Sequence, residues 1–89
     1  MLKTEDTKTE IRQWLKLAKT RKHLFVLVVE DLFDYTLFPI YALTKEELHD
    51  MMGRYDNTDE MYRVTEVYSL TGKYTAKEQI ESMRAWYLN

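Results

Sequence analysis

Stretches with helical spacing of apolar residues alternate along the chain with stretches of strand character. After Thr7-Lys8-Thr9-Glu10, the residues Ile11, Trp14, Leu15 and Ala18 recur on one side while Arg12, Lys16 and Lys19 occupy the other, as expected of an amphipathic helix lying on a core. Behind Thr44-Lys45-Glu46-Glu47, the residues Leu48, Met51, Met52 and Tyr55 make a second stripe, and Gly53 is placed to release the chain through a left-handed residue. Thr75-Ala76-Lys77-Glu78 opens a third, with Ile80, Met83 and Tyr87 on one face and Trp86 beside them. Each opening fits a capping box, in which a Thr hydroxyl accepts from the backbone N–H three residues on and the Glu reaches back to the cap.

Between the helices lie strand signals. His23 to Val29 is short, β-branched and apolar on both alternating faces, the pattern of a central strand covered on both sides. Leu37 to Leu43 follows a polar turn at Asp31 to Thr36 and predicts an antiparallel hairpin; Pro39 cannot donate to a ladder and assigns this strand to an edge. Met61 to Leu70 alternates Tyr62, Val64, Tyr68 and Leu70 with Arg63, Thr65 and Ser69, although Glu66 and Val67 invert the pattern locally. The expectation is a single α+β domain over residues 1–89 with element order α-β-β-α-β-α. Its three-stranded mixed sheet, in order 2-1-3, packs against helices, with the first strand central and antiparallel to both neighbours. The helix from Lys45 to Met52 then crosses one face in the right-handed sense.

Composition narrows the chemistry. The 89 residues remove about 65% of their unfolded surface from water on folding, enough for one thin core. Cysteine is absent, which excludes disulfides, thiolate metal sites and cysteine nucleophiles. The run Leu24 to Val29 is far too short to span a bilayer, and the start of the sequence lacks the apolar stretch of a signal peptide; the expected location is the cytoplasm. A net charge of −2 argues against general binding of duplex nucleic acid. Five Met, two Trp and seven Tyr are more large apolar groups than one thin core hides, which favours a homodimer over a monomer.

Candidate chemistry is sparse. Glu30, Asp31 and Asp34 lie together at the hairpin beside Phe33 and Tyr35. They read either as turn-forming acids or as acid–base or Mg²⁺ groups. Asp56 to Glu60 lacks the glycine and the final glutamate of a calcium loop, His23 and His49 belong to no ligand spacing, and Gly53 and Gly72 are isolated from any phosphate-binding loop. Neither a resident metal nor a cofactor is expected. The basic turn Lys19, Arg21 and Lys22 complements a helix dipole. Tyrosine is the distinctive residue, and Arg63 between Tyr62 and Tyr68 adds a cation to an aromatic strand.

The segments Val28 to Tyr35 (V-V-x-D-x-F-D-Y), Pro39-Ile40-Tyr41 and Met61 to Leu70 (M-x-R-V-x-E-V-Y-x-L), preceded by Trp14-Leu15, cover the chain from Trp14 to Leu70. This pattern resembles a group of short uncharacterised proteins of bacteriophages and mobile elements, which usually carry acidic residues where Thr36 and Leu37 stand here. The resemblance implies a phage-type accessory protein, acting in the host cytoplasm. The expected function is non-enzymatic binding that inhibits a host protein or sequesters a small nucleotide signal, with Phe33, Asp34, Tyr35, Tyr41, Arg63 and Tyr68 touching the partner. The alternatives are a Mg²⁺-dependent nucleotide- or nucleic-acid-processing enzyme using Asp31 and Asp34, and a virion or assembly component.

Overall fold

The computed structural model describes residues 4–81. In chain order these form α1 (Glu5–Thr20), β1 (Phe25–Asp31), β2 (Thr36–Ala42), α2 (Lys45–Tyr55), a 3-10 turn (Thr58–Glu60), β3 (Tyr62–Ser69) and α3 (Ala76–Glu81). Met83, Trp86 and Tyr87, expected to prolong the last helix, lie outside the described residues.

The sheet has the order β2-β1-β3, with the apolar β1 in the middle. Both pairings are antiparallel. The sheet is therefore antiparallel throughout and not mixed, because β2 and β3 each pair only with β1. β1 is central because Val26, Leu27, Val28 and Val29 are all buried, with helices covering both faces. On one face Val26, Val28 and Tyr68 pack with Ile11, Leu15 and Ala18 of α1 and Ile80 of α3. On the other, Leu27, Val29, Val64 and Val67 pack beneath Leu48 of α2, flanked by Met51, Met52 and Tyr55. Both faces of β1 are thus covered by helices of the same chain. Both outer strands also carry an obstacle to edge pairing, Pro39 on β2 and a bulge on β3.

That bulge accounts for the inverted pattern at Glu66 and Val67. Val28 pairs with Glu66 and Val29 with Val64, which leaves Thr65 as the extra residue. Its hydroxyl donates to the Val28 carbonyl at 3.1 Å. Before the bulge, Val64 faces α2; after it, Val67 takes that face and Tyr68 turns to α1.

The helix ends correct the sequence reading in detail. α1 begins one turn before the expected box, capped by Thr4, whose hydroxyl accepts from the Thr7 N–H at 3.1 Å. At its other end His23 N–H reaches Ala18 C=O and Lys22 N–H reaches Lys19 C=O, a Schellman ending with Lys22 at φ 61° where glycine is preferred. Thr44 caps α2 as expected, although the Glu47 carboxylate accepts from Leu43 N–H at 2.7 Å, one residue upstream of the cap. α2 runs through Gly53 and ends at Tyr55, so Gly53 is an ordinary helical residue and not an exit. The Thr75–Glu78 box is fully reciprocal, each backbone N–H meeting the other's side chain at 3.2 Å.

Candidate functional site

The connection Leu32 to Tyr35 between β1 and β2 is a short turn built by its own acids. Asp31 Oδ1 accepts the Phe33 N–H at 2.8 Å. Asp34 Oδ1 accepts both the Thr36 hydroxyl at 2.6 Å and the Thr36 N–H at 3.1 Å. Tyr35 N–H closes the turn onto Asp31 C=O at 2.7 Å. These are Asx-type bonds, the reason Asp is favoured in such turns. The Thr36 hydroxyl, followed by the Thr36 N–H, holds the Asp34 carboxyl below its ordinary range, because both bonds favour the charged form.

Tyr35 adopts φ 62°, a left-handed conformation uncommon outside glycine and asparagine. A bulky residue there costs free energy that glycine would avoid. Phe33 is 81% exposed and Tyr35 75% exposed, the two most exposed of the large hydrophobic residues in the described chain. Leu32 N–H donates to the carbonyl of Met61, itself at φ 65° and also exposed, which ties the turn to the entry of β3. One end of the sheet therefore displays two aromatic rings on a turn whose backbone its own side chains fix. Each ring offers about 150–250 Å² of contact surface at small entropic cost.

The expected partner residues divide between the two ends of the sheet. Phe33, Asp34 and Tyr35 sit together at the tip. Arg63 is at the same end, opposite Glu30 in the ladder, and donates to its carboxylate at 2.7 Å. Its guanidinium thus neutralises a nearly buried acid while remaining half exposed. Tyr41 pairs with Val26 near the far end, its ring 5.5 Å from that of His23; partial burial raises its hydroxyl pKa. Tyr68 is the one expectation the packing overturns. It is fully buried against α1 and α3 and has no surface for a partner. Burial, then the charge of Glu66 and a hydrogen bond to it, pushes its hydroxyl far above the ordinary range. Counting alternation straight through Thr65 assigns Tyr68 to the wrong face.

The tyrosines Tyr55 and Tyr62 belong to an edge-to-face cluster with Phe38 beneath α2, with centroids 5.5–6.1 Å apart. Gln79 is a residue that sequence reasoning missed. Buried in α3, its Oε1 accepts Ser69 N–H at 2.8 Å, and its Nε2 donates to Ser69 C=O at 2.8 Å and Tyr74 C=O at 3.1 Å. It fastens the β3–α3 connection, and nothing in the sequence around it marks a buried amide. The loop Asp56 to Glu60 is likewise built into the fold, with Asp56 Oδ1 accepting Val64 N–H and Asn57 capping the 3-10 turn.

Among the described residues no group of three or more His, Asp or Glu side chains is placed to hold a metal ion. No described helix is long and apolar enough to cross a membrane. Comparison with known proteins finds no family model that matches the chain and no significant match among curated proteins or solved structures.

Proposed function

We propose that the protein is a non-enzymatic recognition module that docks the Phe33–Tyr35 tip into an apolar recess of another protein. In line with the resemblance to phage accessory proteins, that partner is a host factor whose action the docking blocks, in the host cytoplasm. One observation carries the reading: Tyr35 holds a left-handed backbone conformation while its ring stays in solvent, so the strain serves no packing within the fold. Asp31 and Asp34 support the same reading, since each commits an oxygen to shaping the turn. A convex tip suits a protein pocket better than a free nucleotide, which requires a concave cleft.

The test uses affinity-tagged protein expressed in its host, with bound proteins quantified by mass spectrometry and bound nucleotides extracted. Phe33→Ser with Tyr35→Ser removes the specific partner, whereas Asp31→Asn with Asp34→Asn, which keeps the accepting oxygens, retains it. Loss of function in the amide variant with the aromatic variant fully active moves the assignment to the carboxylates and to Mg²⁺-dependent catalysis. A nucleotide bound by wild type and lost in the aromatic variant replaces protein docking with sequestration.

A further inference from the structure

At the opposite end of the molecule, α1 and α3 leave a groove of about 460 Å³ between them, within the range of ligand clefts. Its floor is aliphatic, formed by Leu15, Leu70 and Ile80, and its rim is cationic, with Arg12, Lys16 and Lys19 along α1 and Lys77 on α3. The α1 cations fall at i, i+4 and i+7, a single row about 10 Å long. Among the described residues Lys16, Lys19 and Lys77 form no ion pair, and Arg12 has only Glu81 at 3.9 Å. In a chain whose net charge is −2, this gathering of cations around an apolar floor is a local reversal of sign.

We infer that the groove between α1 and α3 binds an acidic amphipathic helix of a partner protein, whose aliphatic side chains enter the floor while its carboxylates face the lysine row. This site is separate from the hairpin tip and does not rest on its role. The lining chemistry selects the occupant. Among the described residues the polar side chains lining the rim are all cations, Arg12, Lys16, Lys19 and Lys77, so a ligand that presents carboxylates is complemented there. No aromatic ring lines the groove among the described residues, and single-stranded nucleic acid relies on such rings for stacking. A helix with apolar anchors at i and i+4 and acids beside them repeats the spacing of the row it meets.

The experiment selects binders to wild-type protein from a random yeast-displayed peptide library and measures the enriched peptides by fluorescence anisotropy. The expected peptides carry net negative charge with Leu, Ile or Met at helical spacing. Their binding weakens by about 30-fold or more in Lys16→Glu with Lys19→Glu and as salt rises. Ala76→Trp, at an exposed residue of the groove, blocks binding without changing charge, whereas Phe33→Ser leaves it intact; circular dichroism establishes that each variant is folded. The inference is overturned if no acidic peptide is enriched, if binding survives the double charge reversal, or if it fails in Phe33→Ser. Equal affinity of the row for a thymidine oligonucleotide overturns it as well. So does a native mass of two chains that the charge reversal returns to one, which would make the groove a contact between copies.

Discussion

Replacing Tyr35 by glycine separates stability from function at the hairpin tip. An L-residue in the left-handed region costs roughly 1–2 kcal/mol, and Tyr35 sits there at φ 62°. Glycine removes that cost but surrenders about 0.5–1 kcal/mol through its greater freedom in the unfolded chain. The Tyr35 ring is 75% exposed, so little burial is lost with it. The balance is a gain of about 0.5–1 kcal/mol, or roughly 2–8 °C in Tm for a domain of this size. Lys22→Gly is the matched control, since Lys22 occupies the same backbone region at φ 61° and lies at the end of α1, away from the tip. Thermal unfolding by circular dichroism and partner capture are measured on both variants. Both proteins melt higher than wild type, but only Tyr35→Gly loses the partner. A lower Tm for Tyr35→Gly means that the ring supports the fold and that the strain argument is wrong; a higher Tm with capture unchanged removes Tyr35 from the interface.

Gln79→Glu keeps the acceptor for Ser69 N–H but turns a second oxygen toward the carbonyls of Ser69 and Tyr74. The variant loses about 3 kcal/mol at pH 7. The folded pKa of the introduced carboxyl lies above its unfolded value, so the lost stability returns as the pH falls below that folded pKa, as urea unfolding at pH 7 and at pH 4 reports. Gly53 lies inside α2 with open space where a Cβ would stand, and Gly53→Ala therefore gains about 0.5–1 kcal/mol in the same assay. Asp34 has the opposite sign from the carboxyl that Gln79→Glu introduces: its folded pKa is depressed, so its contribution is complete above the ordinary aspartate value and fades as pH falls through the folded one. Asp34→Asn removes this part of the acid dependence, which a titration followed by the Thr36 amide resonance detects.

The order of the strands was legible because β1 alone is apolar on both faces and Pro39 marks an edge, and these features survive small errors of boundary. Finer features were less accessible. Thr7 and Glu10 imitate a capping box inside α1, since a Thr and a Glu three residues apart are equally acceptable within a helix, and the absence of an apolar residue between Thr4 and Ile11 hides the extra turn. The bulge at Thr65 left a trace in the sequence, the inversion at Glu66 and Val67, and reading it as a register change would have moved Tyr68 from the α2 face to the α1 face. Left-handed residues at Lys22, Tyr35 and Met61 carry no such trace, because the sequence offers no glycine there. At the site, the aromatic pair was legible from its place in a polar turn. The groove was not, because it joins α1 to residues far along the chain that come together only through the fold.

Photo-crosslinking from the tip tests the central claim most directly. Benzoylphenylalanine is placed at position 33 and, separately, at exposed position 46 at the start of α2, away from both the tip and the α1–α3 groove, and cells making each protein are irradiated and the adducts sized. Position 33 yields one discrete adduct with a second protein, and position 46 does not. Equal labelling from both positions, or none from position 33 in a folded protein, contradicts recognition through the tip.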